Sequence, residues 1–247
     1  MSPAATPAPV DPADRLFVAL DHPSVEEARA CVAKLEGVVR RFKVGSAVFT
    51  RAGPGFVEEL VARDLGVFLD LKFHDTPNTV AGAVAAAADL GVEMLTLHAA
   101  GGAGMLRAAR EAADEAVRPP GLIAVTVLTS IDPETHARIA GPDARGVEES
   151  VLALGRLAIE AGVDGLVCSP REVGALRAEL GGGPLLVVPG IRPEWTSSDH
   201  AGQARTATPA SAIGAGASAL VVGRAITRAP DPGGAARRVL RVIGAAG

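Results

Sequence analysis

The chain has 247 residues, 48% of them hydrophobic, and a formal charge of -4 from 24 Lys+Arg against 28 Asp+Glu. That length buries a sizeable core. A net negative charge and 3% aromatic content with no tyrosine exclude the cationic grooves and stacking rings that nucleic-acid binding requires.

No stretch reaches the roughly 20 consecutive apolar residues of a membrane-spanning helix, so no membrane partner is expected. The two cysteines, Cys31 and Cys168, have neither CxxC nor metal-ligand spacing, which fits inert thiols in a reducing cytoplasm. Residues 1–14, MSPAATPAPVDPAD, carry no basic or apolar targeting segment and read as a flexible Pro/Ala tail. The remainder, 15–247, shows no break in composition and reads as one domain.

From Leu16 onward, short apolar runs alternate with Ala-rich amphipathic stretches of helical length. The predicted strands are 16–20 (LFVAL), 39–44 (VRRFKV), 67–72 (VFLDLK), 93–98 (EMLTLH), 122–128 (LIAVTVL), 164–169 (DGLVCS), 185–190 (LLVVPG) and 219–224 (ALVVGR). Leu65-Gly66, Leu90-Gly91 and Ala161-Gly162 read as helix ends handing over to strands. Eight such units in this length predict a (β/α)8 barrel, with a doubly wound open sheet as the alternative.

In a (β/α)8 barrel the active site lies at the C-terminal ends of the strands. Polar residues gather at those ends: Asp21, Lys43, Asp70 with Lys72, His98, and Thr129 with Ser130. Singly, Asp21 or Ser169 reads equally well as a helix cap, but a convergent ring reads as a site. In FLDLKFHDTPNTV (68–80), alternation along a strand puts Asp70 and Lys72 on one face and Leu69 and Leu71 on the other. Charges buried at a barrel mouth persist only when paired, which suggests an array of Lys43, Asp70, Lys72 and Asp75.

Lys34, Lys43 and Lys72 are the only lysines in a chain that otherwise uses arginine. A structural bridge is served at least as well by arginine, whereas an ammonium can also give up a proton. Lys72 therefore reads as a proton donor. PGIRP (189–193) and VVGR (221–224) each pair a glycine with an arginine at adjacent strand ends, the makings of a phosphate cradle. The polar connection between them has the composition of a lid.

VALD (18–21), FKVG (42–45), FLDLKFHDTPNTV, HAAGG (98–102), VTVLTS (125–130), PGIRP and VVGR, in this order and spacing, resemble orotidine 5'-phosphate decarboxylase in its bacterial form. The resemblance implies a homodimeric barrel that converts orotidine 5'-monophosphate to UMP and carbon dioxide in pyrimidine biosynthesis, using no metal and no organic cofactor. It implies that Asp21 and Lys43 hold the ribose, that Asp70 faces the departing carboxylate and that Lys72 gives the proton. Asp75 and Thr79 would reach the neighbouring subunit's site. Thr129 and Ser130 would meet the pyrimidine, and Arg192, Gln203, Gly223 and Arg224 the phosphate. Thr76, where the family usually has an aliphatic residue, and Gly202, where it commonly has an acidic one, depart from the pattern.

Two other readings share features with this one. A metal-dependent sugar-phosphate decarboxylase or lyase of the same barrel type carries an acidic ligand at the end of strand 2, where Lys43 stands, a poor neighbour for a divalent cation. A non-catalytic nucleotide-binding barrel would keep the phosphate grip but gain nothing from a buried charge array.

Overall fold

A computed structural model describes residues 11–141, 145–196 and 206–246. Eight strands, each followed by at least one helix, close into a parallel barrel in sequence order, with β8 hydrogen-bonded to β1. This settles the choice between a barrel and an open sheet. The strands are β1 (Leu16–Ala19), β2 (Arg41–Gly45), β3 (Gly66–Phe73), β4 (Met94–His98), β5 (Gly121–Val125), β6 (Gly165–Val167), β7 (Leu185–Val188) and β8 (Ala219–Val222).

The helices are α1 (Val25–Leu35), α2 (Ser46–Ala52), α3 (Gly55–Val61), α4 (Pro77–Asp89), α5 (Gly102–Asp114), α6 (Pro133–Ala140), α7 (Val147–Glu160), α8 (Val173–Leu180), α9 (Pro209–Gly214), α10 (Arg224–Thr227) and α11 (Pro232–Ala246). Their starts are written locally. Ser24 caps α1 by accepting from the Glu27 N–H, while Asp132 and Thr208 cap α6 and α9 with proline at the first helical position.

Side chains alternate between two cores. Leu16, Val18, Phe42, Val44, Val67 and Leu69 point outward to the helices, whereas Phe17, Ala19, Phe68, Met94, Ile123 and Val187 fill the barrel interior. Phe17 and Phe68 meet edge to face at 5.5 Å. Below them Arg41 is bridged to Glu93 at 2.7 Å and Asp14 at 2.6 Å, an ionic plug at the N-terminal end of the strands.

Several boundaries differ from the sequence expectations, each for a hydrogen-bonding reason. The second strand starts at Arg41 because the Val38 and Val39 N–H groups are taken by the Leu35 carbonyl at the end of α1. The fifth stops at Val125 because its neighbour β6 is short and its pairing ends at Val125 with Val167. The sixth ends as the Ser169 N–H turns to the Glu172 carboxylate and proline follows.

Gly91 and Gly162 take the left-handed conformation at their helix–strand junctions. At the third such junction Asp64 does so instead, and Gly66 is already in the strand, where a Cβ would run into the Glu93 carboxylate. Straddling the end of the expected tail (1–14), Pro12–Arg15 form a short 3-10 turn. The Arg15 guanidinium there donates to the Ala217 and Ser218 carbonyls.

Candidate active site

The C-terminal ends of the strands open into a cleft of about 1240 Å³. Its floor is apolar, built from Ala19, Phe68, Val125, Val167, Val187 and Val221. Along one wall run Asp21, Lys43, Asp70 and Lys72, three of them on β2 and β3 and Asp21 just beyond β1. The register explains the gathering. Ala19 pairs with Lys43 and Gly45 with Asp70, so inward-facing positions of adjacent strands come level at the mouth.

The charges form a continuous chain. Lys43 Nζ lies 3.1 Å from Asp21 Oδ1 and 3.2 Å from Asp70 Oδ2, and Lys72 Nζ lies 2.7 Å from Asp70 Oδ1. The Lys43 and Asp70 side chains are 11% and 13% exposed, Lys72 34% and Asp21 63%, so the chain runs from a wet rim into a dry centre and back toward the cleft. Burial disfavours the Lys43 ammonium, but Asp70 and Asp21 outweigh it and hold the group above the ordinary lysine range. Burial likewise disfavours the Asp70 carboxylate, yet Lys43 and Lys72 hold it below the ordinary aspartate range. Both stay charged at neutral pH.

At the end of β3 the chain departs from regular strand. Leu69 pairs with Leu95 and Phe73 with Leu97, and between them Lys72 adopts φ 54°, the left-handed region that a non-glycine residue rarely enters. This bulge brings the ammonium of Lys72 back onto Asp70. Asp75 lies beyond it, exposed, accepting from the Thr76 N–H at 2.6 Å, and forms no ion pair among the described residues. Thr79 is exposed on α4, its hydroxyl 3.0 Å from that of Thr76. Within one chain, therefore, the array holds Lys43, Asp70 and Lys72 but not Asp75.

The other expected residues divide in the same way. Thr129, Arg192, Gly223 and Arg224 line the cleft. Ser130 sits in the turn closed by the Ile131 N–H on the Leu128 carbonyl; it is exposed and does not line the cleft. Gln203 and Gly202 lie outside the described residues. His98, at the end of β4, stacks on His74 with ring centroids 5.3 Å apart; burial, then His74 and Lys72, lower its basicity.

The match to known proteins decides the kinship. Residues 14–239 match the model of the orotidine 5'-phosphate decarboxylase / HUMPS family. The chain belongs to that family. It is 52% identical over 235 residues to the orotidine 5'-phosphate decarboxylase of Halorhodospira halophila, spanning 94% of this chain and 97% of that one. It is 50% identical over 220 residues to that of Nitrosococcus oceani, spanning 88% and 92%. The crystal structure of orotidine 5'-phosphate decarboxylase from Lactobacillus acidophilus superposes with a TM-score of 0.81 at 37% identity, over 92% of this chain and 98% of that one.

Three features of this family member escaped the sequence reading. Thr96 on β4 is fully buried and bonded to both Asp70 and the Lys72 backbone. A lone threonine among the leucines of MLTLH, at the inward parity of Met94, is the signal that marks it. Gly45 leaves room for the Lys43–Asp21 pair, since a Cβ there would lie 3.1 Å from Lys43 Nζ and 3.2 Å from Asp21 Oδ1. Trp195 and Arg238 line the cleft together, the guanidinium 3.9 Å above the indole ring.

Proposed function

We propose that this family member decarboxylates orotidine 5'-monophosphate to UMP and carbon dioxide, the reaction for which its relatives are named, with Lys72 as proton donor. The observation that carries the reading is the Lys43–Asp70–Lys72 array along one wall of a cleft whose far side presents Arg192, Gly223 and Arg224.

Heterolysis of the C6–carboxylate bond releases carbon dioxide and leaves its electron pair on C6, where the pyrimidine offers little resonance relief. Such a barrier falls when fixed charge already points at the developing carbanion, because no reorganisation is needed as the charge appears. The Lys72 ammonium, held by Asp70, supplies that charge and then its proton to C6, and recovers a proton from solvent. Asp70 stands beside the departing carboxylate and keeps the two ammoniums compatible. Asp21 and Lys43 take the ribose hydroxyls and Thr129 the pyrimidine. Arg192, Gly223 and Arg224, with Gln203, take the phosphate, whose remote binding energy is realised in the transition state.

The metal-dependent sugar-phosphate reading is disfavoured by the same geometry. Where a divalent cation would need a carboxylate at the end of β2, the Lys43 ammonium stands 3.2 Å from Asp70. The reaction is proposed to need neither metal nor organic cofactor. No helix among the described residues is long and apolar enough to cross a membrane. A cytoplasmic setting is proposed on the two buried free thiols, which suit a reducing compartment.

The active unit is proposed to be a homodimer in which Asp75 and Thr79 complete the partner's site. The exposed Asp75 carboxylate, with no ion pair among the described residues, supports this. Mixing variants tests function and assembly together. Lys72→Ala and Asp75→Asn homodimers should each lose turnover of orotidine 5'-monophosphate by orders of magnitude, while a mixed dimer regenerates one intact site. Turnover by either parent at the wild-type rate would refute that residue's role, and failure of the mixture to recover activity would refute the shared site.

A further inference from the structure

We propose that Thr96 is a positioning residue for the proton donor: its hydroxyl fixes both the left-handed backbone of Lys72 and the carboxylate that aims the Lys72 ammonium. The inference rests on the reading of Lys72 as proton donor.

The bulge in β3 creates the need. Asp70, Leu71 and Lys72 stand opposite Thr96 alone, because pairing resumes only at Phe73 with Leu97. A parallel ladder cannot serve three residues from one, so backbone groups of the bulge need partners from elsewhere. The Thr96 hydroxyl supplies one, accepting from the Lys72 N–H at 2.8 Å. Its own proton goes to Asp70 Oδ1 at 3.1 Å. That same oxygen accepts from Lys72 Nζ at 2.7 Å. A single buried oxygen atom thus closes a ring through the backbone of Lys72, the carboxylate of Asp70 and the ammonium of Lys72.

Strain makes the fixing consequential. A left-handed conformation is unfavourable for an L-residue other than glycine and persists only where surrounding contacts hold it. Thr96 is 0% exposed, so water does not readily replace its hydroxyl. Released from it, the bulge can relax toward ordinary strand geometry and carry Nζ off its aim. Neither of the other wall charges bonds to Thr96: Lys43 meets Asp70 at the other carboxylate oxygen, Oδ2, and is also held by Asp21 Oδ1. The phosphate-side residues lie beyond the ends of β7 and β8, Arg192 in the loop after β7 and Gly223 and Arg224 at the start of α10, across the barrel from Thr96.

The test compares Thr96→Val, which keeps the shape and loses the hydroxyl, with Thr96→Ser, which keeps the hydroxyl. Losing a hydrogen bond to a charged group predicts that kcat of Thr96→Val falls roughly ten- to a hundredfold. Its KM for orotidine 5'-monophosphate and its affinity for UMP should stay within about threefold, the pattern of an interaction used only in the transition state. Thr96→Ser should restore kcat to near the wild-type value. If the valine variant does not fold, Thr96→Cys, with its weak sulfur donor, carries the same comparison.

Wild-type kcat in Thr96→Val, an equal loss in Thr96→Ser, or a parallel loss of UMP affinity would each overturn the proposal. An inactive Lys72→Ala beside a fully active Thr96→Val refutes the role of Thr96 alone. An active Lys72→Ala refutes the proton-donor reading and this inference with it.

Discussion

Replacing Asp70 by Asn removes one negative charge from between two ammoniums and nothing else of comparable size. At 2.7 and 3.2 Å, and with an effective dielectric of about 20, each contact is worth about 5–6 kcal/mol of Coulomb attraction before desolvation is charged against it. The Lys43 contact counts for more, since both side chains are nearly buried, whereas Lys72 is a third exposed.

Removing one partner of a buried pair typically costs about 3–5 kcal/mol, because the other charge stays buried without compensation. The amide oxygen still accepts one hydrogen bond, so the lower end, about 3 kcal/mol, applies here. In a domain of this size that is a fall of roughly 6–12 °C in Tm. Thermal unfolding followed by circular dichroism measures it directly.

The pH dependence gives a second signature. The folded-state pKa of Asp70 is lowered, so its contribution is fully present above the unfolded value, 3.8, and is lost as pH falls through the lower folded value. The gap between wild type and Asp70→Asn should be constant near neutrality and shrink only in acid below pH 3.8. A variant as stable as wild type at neutral pH, or a gap that does not close in acid, would refute the claim that Asp70 balances the two lysines.

Other perturbations separate the parts of the site. Gly45→Ala puts a methyl group 3.1 Å from Lys43 Nζ and 3.2 Å from Asp21 Oδ1; steady-state kinetics should show KM raised about tenfold, as expected when a ground-state contact is displaced, with Tm nearly unchanged. Arg224→Ala should lower kcat/KM by roughly ten- to a hundredfold through lost phosphate anchoring, and an unchanged kcat/KM would argue against that role. Cys31 and Cys168 are buried and burial raises both thiol pKa values. A thiol reagent should therefore leave the native protein unlabelled at neutral pH and label both cysteines after unfolding.

Much of the fold was legible because the barrel is written in local signals. Apolar runs, Ala-rich amphipathic stretches and glycines at helix ends mark eight units, and chain length closes them; the caps at Ser24, Asp132 and Thr208 are local signals of the same kind that the reading did not use. What local pattern does not carry is where a ladder runs out. Thr126, Val127 and Leu128, the last residues of the fifth predicted strand, look like strand in isolation, but they have no ladder partner once β6 ends at Val167.

The site divides along the same line. Lys43, Asp70 and Lys72 could be read from parity on adjacent strands, because register at a barrel mouth follows from alternation. Parity alone gives a regular strand at Lys72, however, and misses the bulge, since φ 54° is imposed by contacts from β4. Thr96 escaped for that reason: its meaning lies in a neighbour's distortion. Asp75 reads from spacing as a fourth member of the array, yet α4 begins two residues later and carries it outward to the surface of the chain.

The central claim is most directly tested by the ultraviolet spectrum of orotidine 5'-monophosphate incubated with wild-type protein and with Lys72→Ala, both in excess EDTA. The account predicts conversion to the UMP spectrum with the wild type alone, while Lys72→Ala still binds UMP. Equal conversion by Lys72→Ala, or a wild-type activity that EDTA abolishes and magnesium restores, would contradict it.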